Sequence, residues 1–216
     1  MKLTHFGHAC ILVEIPNDST GARVLIDPGT YSVGFEELSG VDAILVTHAH
    51  PDHLDTERLT QLLERNPEAE VVCGQGVAEA LAGISQIVHV VSPGDSLEVR
   101  GVGLAVTGGA HACIHPDLPD SENLGFLVAN SLFHPGDALE KPPFDVDTLL
   151  VPAGGPWMKI SEGIEFARAV APRVAVPIHQ AGLAPAHQQM HHQLLTKLAP
   201  TSTKVVVLEH GVAQEF

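Results

Sequence analysis

Nothing in these 216 residues approaches the run of roughly 20 apolar side chains that a membrane-spanning helix needs. No basic stretch leads into an apolar run at the N-terminus, where Met1-Lys2-Leu3-Thr4-His5-Phe6-Gly7-His8 enters strand-like sequence directly. That predicts no signal peptide and a cytoplasmic protein. Cysteine is scarce: Cys10, Cys73 and Cys113 stand far apart, suggest no zinc ribbon and fit reduced core thiols. Positive charge is scarce too, with 11 Lys and Arg against 26 Asp and Glu, a net charge of -15. Such a field repels phosphate backbones and anionic lipid, so neither nucleic acid nor membrane is an expected partner. A small-molecule substrate is expected instead. Low-complexity segments, short repeats and linkers are missing as well, so residues 1–216 read as a single domain.

The apolar share of 44% against 17% charged residues suits a compact α/β protein with much buried sheet. Short apolar runs rich in β-branched residues predict strands near Lys2–His5, Ala9–Ile15, Arg23–Ile26, Ala43–Val46, Val71–Cys73, Ile87–Val91 and Ser96–Val99. Further strands are predicted near Leu104–Thr107, Gly125–Val128, Ser131–His134, Thr148–Val151, Val174–Pro177 and Lys204–Leu208. Helical spacing covers Thr56–Arg65, Ser161–Val170 and Ala186–Leu198, with a shorter stretch near Val77–Leu81. Asp55 or Thr56, and Ser161, are the expected N-caps. Pro16-Asn17-Asp18-Ser19-Thr20-Gly21 reads as a turn. The first third looks hairpin-like, and later segments alternate strand with helix, which suggests a mixed sheet covered by helices on one face.

Histidine is the residue in surplus, at 14. Surplus alone decides nothing: His187, His191 and His192 read as a polar helix face. Spacing is what distinguishes Thr47-His48-Ala49-His50-Pro51-Asp52-His53, where four potential donors fall within six residues at the end of an apolar strand. Fully extended, six residues span about 20 Å, so these donors share a site only if the segment curls. Pro51 restricts that turn. Imidazole with carboxylate suits zinc, and also manganese or iron. The bland alternative makes Asp52 a helix cap and the histidines loop decoration.

One segment cannot fill two metal shells, and later strand ends supply more donors. Thr107-Gly108-Gly109-Ala110-His111, Phe133-His134-Pro135-Gly136-Asp137 and Val176-Pro177-Ile178-His179 each put one just past a short apolar strand. His115 competes with His111, which is favoured because it follows the strand directly. Asp137 alone is also good turn chemistry, and His179 alone could be a core histidine.

The run His48-x-His50-x-Asp52-His53, with His111, Asp137 and His179 beyond it, resembles the metallo-β-lactamase superfamily over nearly the whole chain. Within it, the chain is similar to small bacterial metal-dependent hydrolases related to ascorbate-6-phosphate lactonase. These also carry Gly7-His8, Gly136-Asp137 and Pro-x-His features like those seen here. The resemblance implies a four-layer αβ/βα sandwich, two mixed sheets face to face with helices outside. It implies two divalent ions, zinc foremost, one held by His48, His50 and His111 and the other by Asp52, His53 and His179, with Asp137 bridging.

The implied activity is hydrolysis of a small ester, lactone or phosphoester, with Asp52 also orienting the attacking water or taking its proton. A phosphodiesterase or RNA-processing nuclease, and a non-catalytic metal sensor, are the rival readings. His8 either lines the pocket or is a plain hairpin histidine. His134 and His210 read as supports for other groups, and His5 as structural. Trp157 and Lys159, after the strand near Thr148–Val151, are candidate substrate contacts, Lys159 for an anionic group; a packed aromatic and a solvated lysine explain them equally. A homo-oligomer would be unsurprising.

Overall fold

The computed structural model describes residues 1–16 and 21–216, so the expected turn at residues 16–21 lies largely outside the described residues. One sheet joins β1 (Lys2–Gly7), β2 (Cys10–Ile15), β3 (Ala22–Ile26), β4 (Ala43–Val46), β5 (Glu70–Cys73) and β6 (Val88–Val90) in chain order. The short β14 (Gln214–Glu215) closes it beside β1. The other sheet runs from β7 (Ser96–Val99) through β8 (Val102–Gly108), β9 (Leu124–Val128), β10 (Leu132–His134), β11 (Thr148–Pro152) and β12 (Val174–Ile178) to β13 (Lys204–Val205). Both are mixed. β1 to β3 are antiparallel and β3 to β6 parallel, while β7 to β10 are antiparallel and β10 to β13 parallel.

Side-chain alternation makes the layers, because neighbouring residues of a strand face opposite sides. Ile11, Val13, Val24, Ile26 and Leu45 point into a core shared with Leu104, Phe126, Val128, Leu150 and Val176 of the other sheet. Leu12, Leu25, Ile44 and Val46 point outward, under Leu59, Leu62 and Leu63 of α1 (Thr56–Arg65). Leu149 and Val151 point outward on the opposite side, under Ile164 and Phe166 of α3 (Ile160–Val170) and Leu195 of α4 (Pro185–Leu198). A short α2 (Gln75–Ala80) adds Val77 to the first helical layer. The result is the four-layer sandwich, helices on both outer faces, and not one sheet covered on a single face. Truncating a buried leucine such as Leu150 to alanine costs about 2–5 kcal/mol in a core of this kind.

α1 and β4 occupy the expected spans, and Asp55 caps α1 by accepting from the Arg58 backbone N–H at 3.0 Å. Ser161 is not a cap. The Glu162 carboxylate accepts from the Lys159 backbone N–H at 2.6 Å, so α3 starts one residue earlier, at Ile160, with Lys159 in the cap position. The strand expected at Lys204–Leu208 shrinks to two residues that pair only with Val174 and Ala175. Beyond that pairing β12 is an edge, which is how Pro177, with no N–H to give, is accommodated in a strand.

Candidate metal centre

The parallel strands of each sheet end on one side of the sandwich, and the donors sit just past those ends. β4 runs into His48, β8 into His111, β10 into Asp137 and β12 into His179. The segment after β4 curls as its donors require, with the His53 and Leu54 N–H groups both donating to the His50 carbonyl. The Pro28-Gly29 loop after β3 supports the curl: Thr30 N–H donates to Pro51 O and Asp55 N–H to Pro28 O. A Cβ on Gly29 would stand 1.8 Å from the Asp52 carbonyl oxygen, so only glycine permits that approach.

All seven expected donors meet here. His48, His50 and His111 form one set of mutually close ligand atoms; Asp52, His53 and His179, joined by His8, form another. Between them lies the buried Asp137 carboxylate. Its Oδ1 is 3.1 Å from His53 Nε2, and its Oδ2 is 3.2 Å from His111 Nε2, 3.0 Å from His179 Nε2 and 4.0 Å from His48 Nε2. His115 is not part of the cluster; it is exposed and faces Asp117 at 3.7 Å.

The outer ring nitrogens fix what the inner ones present. His53 Nδ1 lies 2.7 Å from Asp27 Oδ2, His111 Nδ1 2.6 Å from the Ala112 carbonyl, and His179 Nδ1 against the Gly154 carbonyl. Those partners only accept, so each Nδ1 carries the proton. The Thr47 hydroxyl donates to Asp27 at 2.8 Å, which leaves its oxygen to accept from His48 Nδ1 at 3.0 Å. In the neutral imidazoles, four Nε2 lone pairs therefore converge on a carboxylate. Acceptor faces acceptor, and none of the four Nε2 atoms has a hydrogen-bond partner among the described residues. Buried polar atoms left this way call for a cation. The donor set, imidazole with carboxylate and each His held from behind, fits divalent metal.

Protonation answers the same demand. Burial pulls the His53 pKa down, but the carboxylates of Asp137 and Asp27 outweigh it and leave it well above the usual range. His111 follows, with burial opposed by its contact to Asp137. His48, where burial and the neighbouring His53 act together, is driven well below the usual range. Burial would raise Asp137, yet His53, His111 and His179 hold it ionised. Asp52 is likewise held low against burial, chiefly by the His8 hydrogen bond.

His8 lines the site: its Nε2 is 3.0 Å from Asp52 Oδ2 and its ring 3.9 Å from that of His179. Trp157 donates its indole N–H to Asp137 Oδ2 at 2.9 Å, and its ring lies edge-on to His111 and His179. Lys159 is exposed at the start of α3, where its backbone N–H donates to the Glu162 carboxylate. His134 braces the turn before Asp137, its Nε2 on the Ala9 carbonyl and its Nδ1 accepting from Gly136 N–H. His210 packs edge-on against His5.

Two supports escaped the sequence reading. Asp27 orients His53 and Thr47; Ile26-Asp27-Pro28 repeats the pattern of a donor past a short strand, which is the signal that could have found it. Asn123 clamps the other side, donating to Pro135 O and accepting from Asp137 N–H, and nothing in its local sequence marks it. Gly136, at φ 61°, passes so close that a Cβ would stand 2.1 Å from the Asn123 side-chain oxygen. His8, Asp27 and His179 also hold positive φ, a strained backbone concentrated at the site.

Residues 2–179 match the beta-lactamase superfamily domain. The chain belongs to the metallo-β-lactamase superfamily. A Mycobacterium tuberculosis relative, Protein Rv0786c, is 46% identical, covering 98% of this chain and 99% of its own. A UPF0173 metal-dependent hydrolase of Methanospirillum hungatei is 26% identical over 100% of this chain and 99% of its own. Among solved structures, Igni18, described as a novel metallo hydrolase from Ignicoccus hospitalis, superposes with a TM-score of 0.73 at 23% identity, covering 100% of this chain and 98% of that one. At that identity the likeness is one of fold.

Proposed function

We propose that this chain hydrolyses a small ester, lactone or phosphoester, with two divalent ions supplying the Lewis acidity that makes water a nucleophile at neutral pH. The coarser assignment, a metal-dependent hydrolase of the metallo-β-lactamase superfamily, rests on the family match and on relatives that carry that description. The observation that carries the finer one is the convergence of four Nε2 lone pairs on the Asp137 carboxylate. His48, His50 and His111 would hold one ion and Asp52, His53 and His179 the other, with Asp137 touching both sets. Zinc leads for such a donor set, ahead of manganese and iron.

The chain's own groups then divide the work. Asp52, ionised and acceptor-only, orients the attacking water or takes its proton. His8 positions Asp52 through the contact at 3.0 Å. Trp157 fixes the other carboxylate and walls the site.

Metal content by mass spectrometry, on protein purified without a metal-binding tag, tests this directly. About two equivalents of zinc, manganese or iron are expected. Near zero after reconstitution with each metal would end the assignment. With metal bound, hydrolysis in a panel of esters, lactones and phosphoesters is expected; silence throughout would favour a sensor.

A further inference from the structure

Beside the histidine cluster lies a cavity of about 280 Å³. His50 and His111 line it together with the apolar Ala112, Ile114, Leu118 and Pro119. No Lys or Arg lines it; Asp120 is its one carboxylate, and Cys113, His115 and Ser121 add polar groups. Ile114 and Leu118 stay 41% and 54% exposed, an unfavourable placement for large apolar side chains unless something covers them. The loop that carries them is anchored to the site: His111 N–H donates to Ser121 O, and Ala112 N–H to Asp137 O at 2.8 Å. Beside His8, Tyr31 is also exposed, at 56%, with its ring 5.3 Å from that of His8.

We propose that this cavity receives the uncharged apolar arm of a small ester or lactone and rejects an arm ending in carboxylate or phosphate. The proposal rests on the hydrolase reading and narrows it. The cavity adjoins His50 and His111, so an arm in it leaves the carbonyl beside the cluster. Its volume falls just under the roughly 300–1,000 Å³ of drug-sized pockets, which suits one short arm. An arm ending in an anion would bring its charge toward Asp120, with no lining Lys or Arg to pair with it, and would give up apolar contact with Ile114 and Leu118. The chemistry is closed: water adds to the carbonyl carbon, the ring C–O bond breaks, the departing oxygen takes a proton, and a hydroxy-carboxylate and one proton leave.

The test uses metal-replete protein and γ-lactones with alkyl arms of one to five carbons, with one lactone of matched length whose arm ends in carboxylate, and follows proton release. Each buried methylene is expected to raise kcat/KM about fourfold until the cavity fills. The carboxylate arm should be at least about tenfold poorer than its alkyl match, roughly the loss of two buried methylenes' apolar contact together with repulsion from Asp120. Leu118→Trp, on an exposed loop, should lower the five-carbon to one-carbon ratio at least about fivefold. A flat length series, or preference for the charged arm, overturns the proposal and leaves the hydrolase reading standing.

If no ester, lactone or phosphoester is turned over, the hydrolase reading falls, and binding decides the cavity separately. Trp157 is the only tryptophan, and its ring lies 6.0 Å from that of His111. Titration with 2-pentyltetrahydrofuran, an unreactive ring with the same arm, should change its emission saturably, whereas the carboxylate-ended analogue should not. Equal responses, or none, would sink the idea.

Discussion

Three histidines fall within six residues at two places in this chain: His48, His50 and His53 after β4, and His187, His191 and His192 on α4. One trio enters the candidate metal centre and the other does not. On α4, His187 and His191 share a face at the i, i+4 spacing, with rings 6.5 Å apart, while His192 is turned about 100° away from His191. His191 donates to the Ala153 carbonyl at 2.6 Å, and no carboxylate joins the trio in a ligand-like group among the described residues. After β4, the curled segment turns its side chains toward strand ends from the other sheet, which add His111, Asp137 and His179. Histidine density is the same in both places. What differs is whether a second sheet delivers an anion to the centre.

That anion is where the comparison breaks most sharply. Asp137→Ala removes the one group that touches both donor sets, so metal content should fall below one equivalent, and hydrolysis by a factor on the order of 10³ or more. Full metal retention, read by mass spectrometry, would mean that the carboxylate is not a bridge. His191→Ala, with the same assay, should leave metal content as it was.

The metal-free protein sharpens the contrast through pH. His53 and His111 have raised pKa values when folded, so their stabilisation is complete below the unfolded value of about 6.5 and is lost as pH rises through the folded values. His48 is depressed by burial, and so is His5, to about 4; their stabilisation is complete above about 6.5 and is lost as pH falls. The apo protein should therefore be most stable near pH 6.5, with denaturation midpoints declining on both sides. Bound metal replaces the protons on His53 and His111 and should abolish the alkaline decline. A monotonic curve in the apo protein would contradict the charge assignment. Metal affinity should also weaken as pH falls, because protons compete for the same nitrogens.

The donors were legible in the sequence because each follows a short apolar strand, and strands that end together bring distant donors together. The sandwich was legible only through the family resemblance. The order of strands and helices alone suggested one sheet covered on a single face, because local pattern does not show that the side holding Ile11 and Val13 meets a second sheet while Leu12 meets helices. The supports were less so. Asp27 follows the same rule as the donors, but a lone Asp before Pro28 also reads as a turn. Asn123 gains its role only because Pro135 and Asp137 come within reach of its amide. Trp157 was singled out, yet its contact with Asp137 depends on the Gly154-Gly155 turn, where a Cβ on Gly155 would stand 2.8 Å from the indole nitrogen. β14 was missed since two residues carry no periodicity; it exists through pairing with Lys2 and Leu3 at the far end of the chain. Local pattern names the groups that touch the centre, whereas the groups behind them are defined by tertiary contact.

Asp27→Asn tests that outer layer. It keeps the shape but weakens the acceptor that holds the His53 N–H and the Thr47 hydroxyl, so metal affinity should drop about 10- to 100-fold while the bound metal still reaches full occupancy at saturation. Unchanged affinity in a competition titration would make Asp27 a purely structural anchor.

The smallest effect belongs to the other trio. His187 is exposed, and its recorded contact is the edge-on meeting with His191. His187→Ala should shift stability by no more than about 0.5 kcal/mol, the usual range for a surface substitution, and alanine's better helix propensity pulls toward a slight gain. A loss of metal from that variant would mean that α4 offers a donor after all, and the contrast between the two trios would fail. A gain of a few tenths of a kcal/mol in chemical denaturation, with metal content intact, would show a helix surface histidine behaving as helix surface. The distinction would then rest on where the strands deliver their ends.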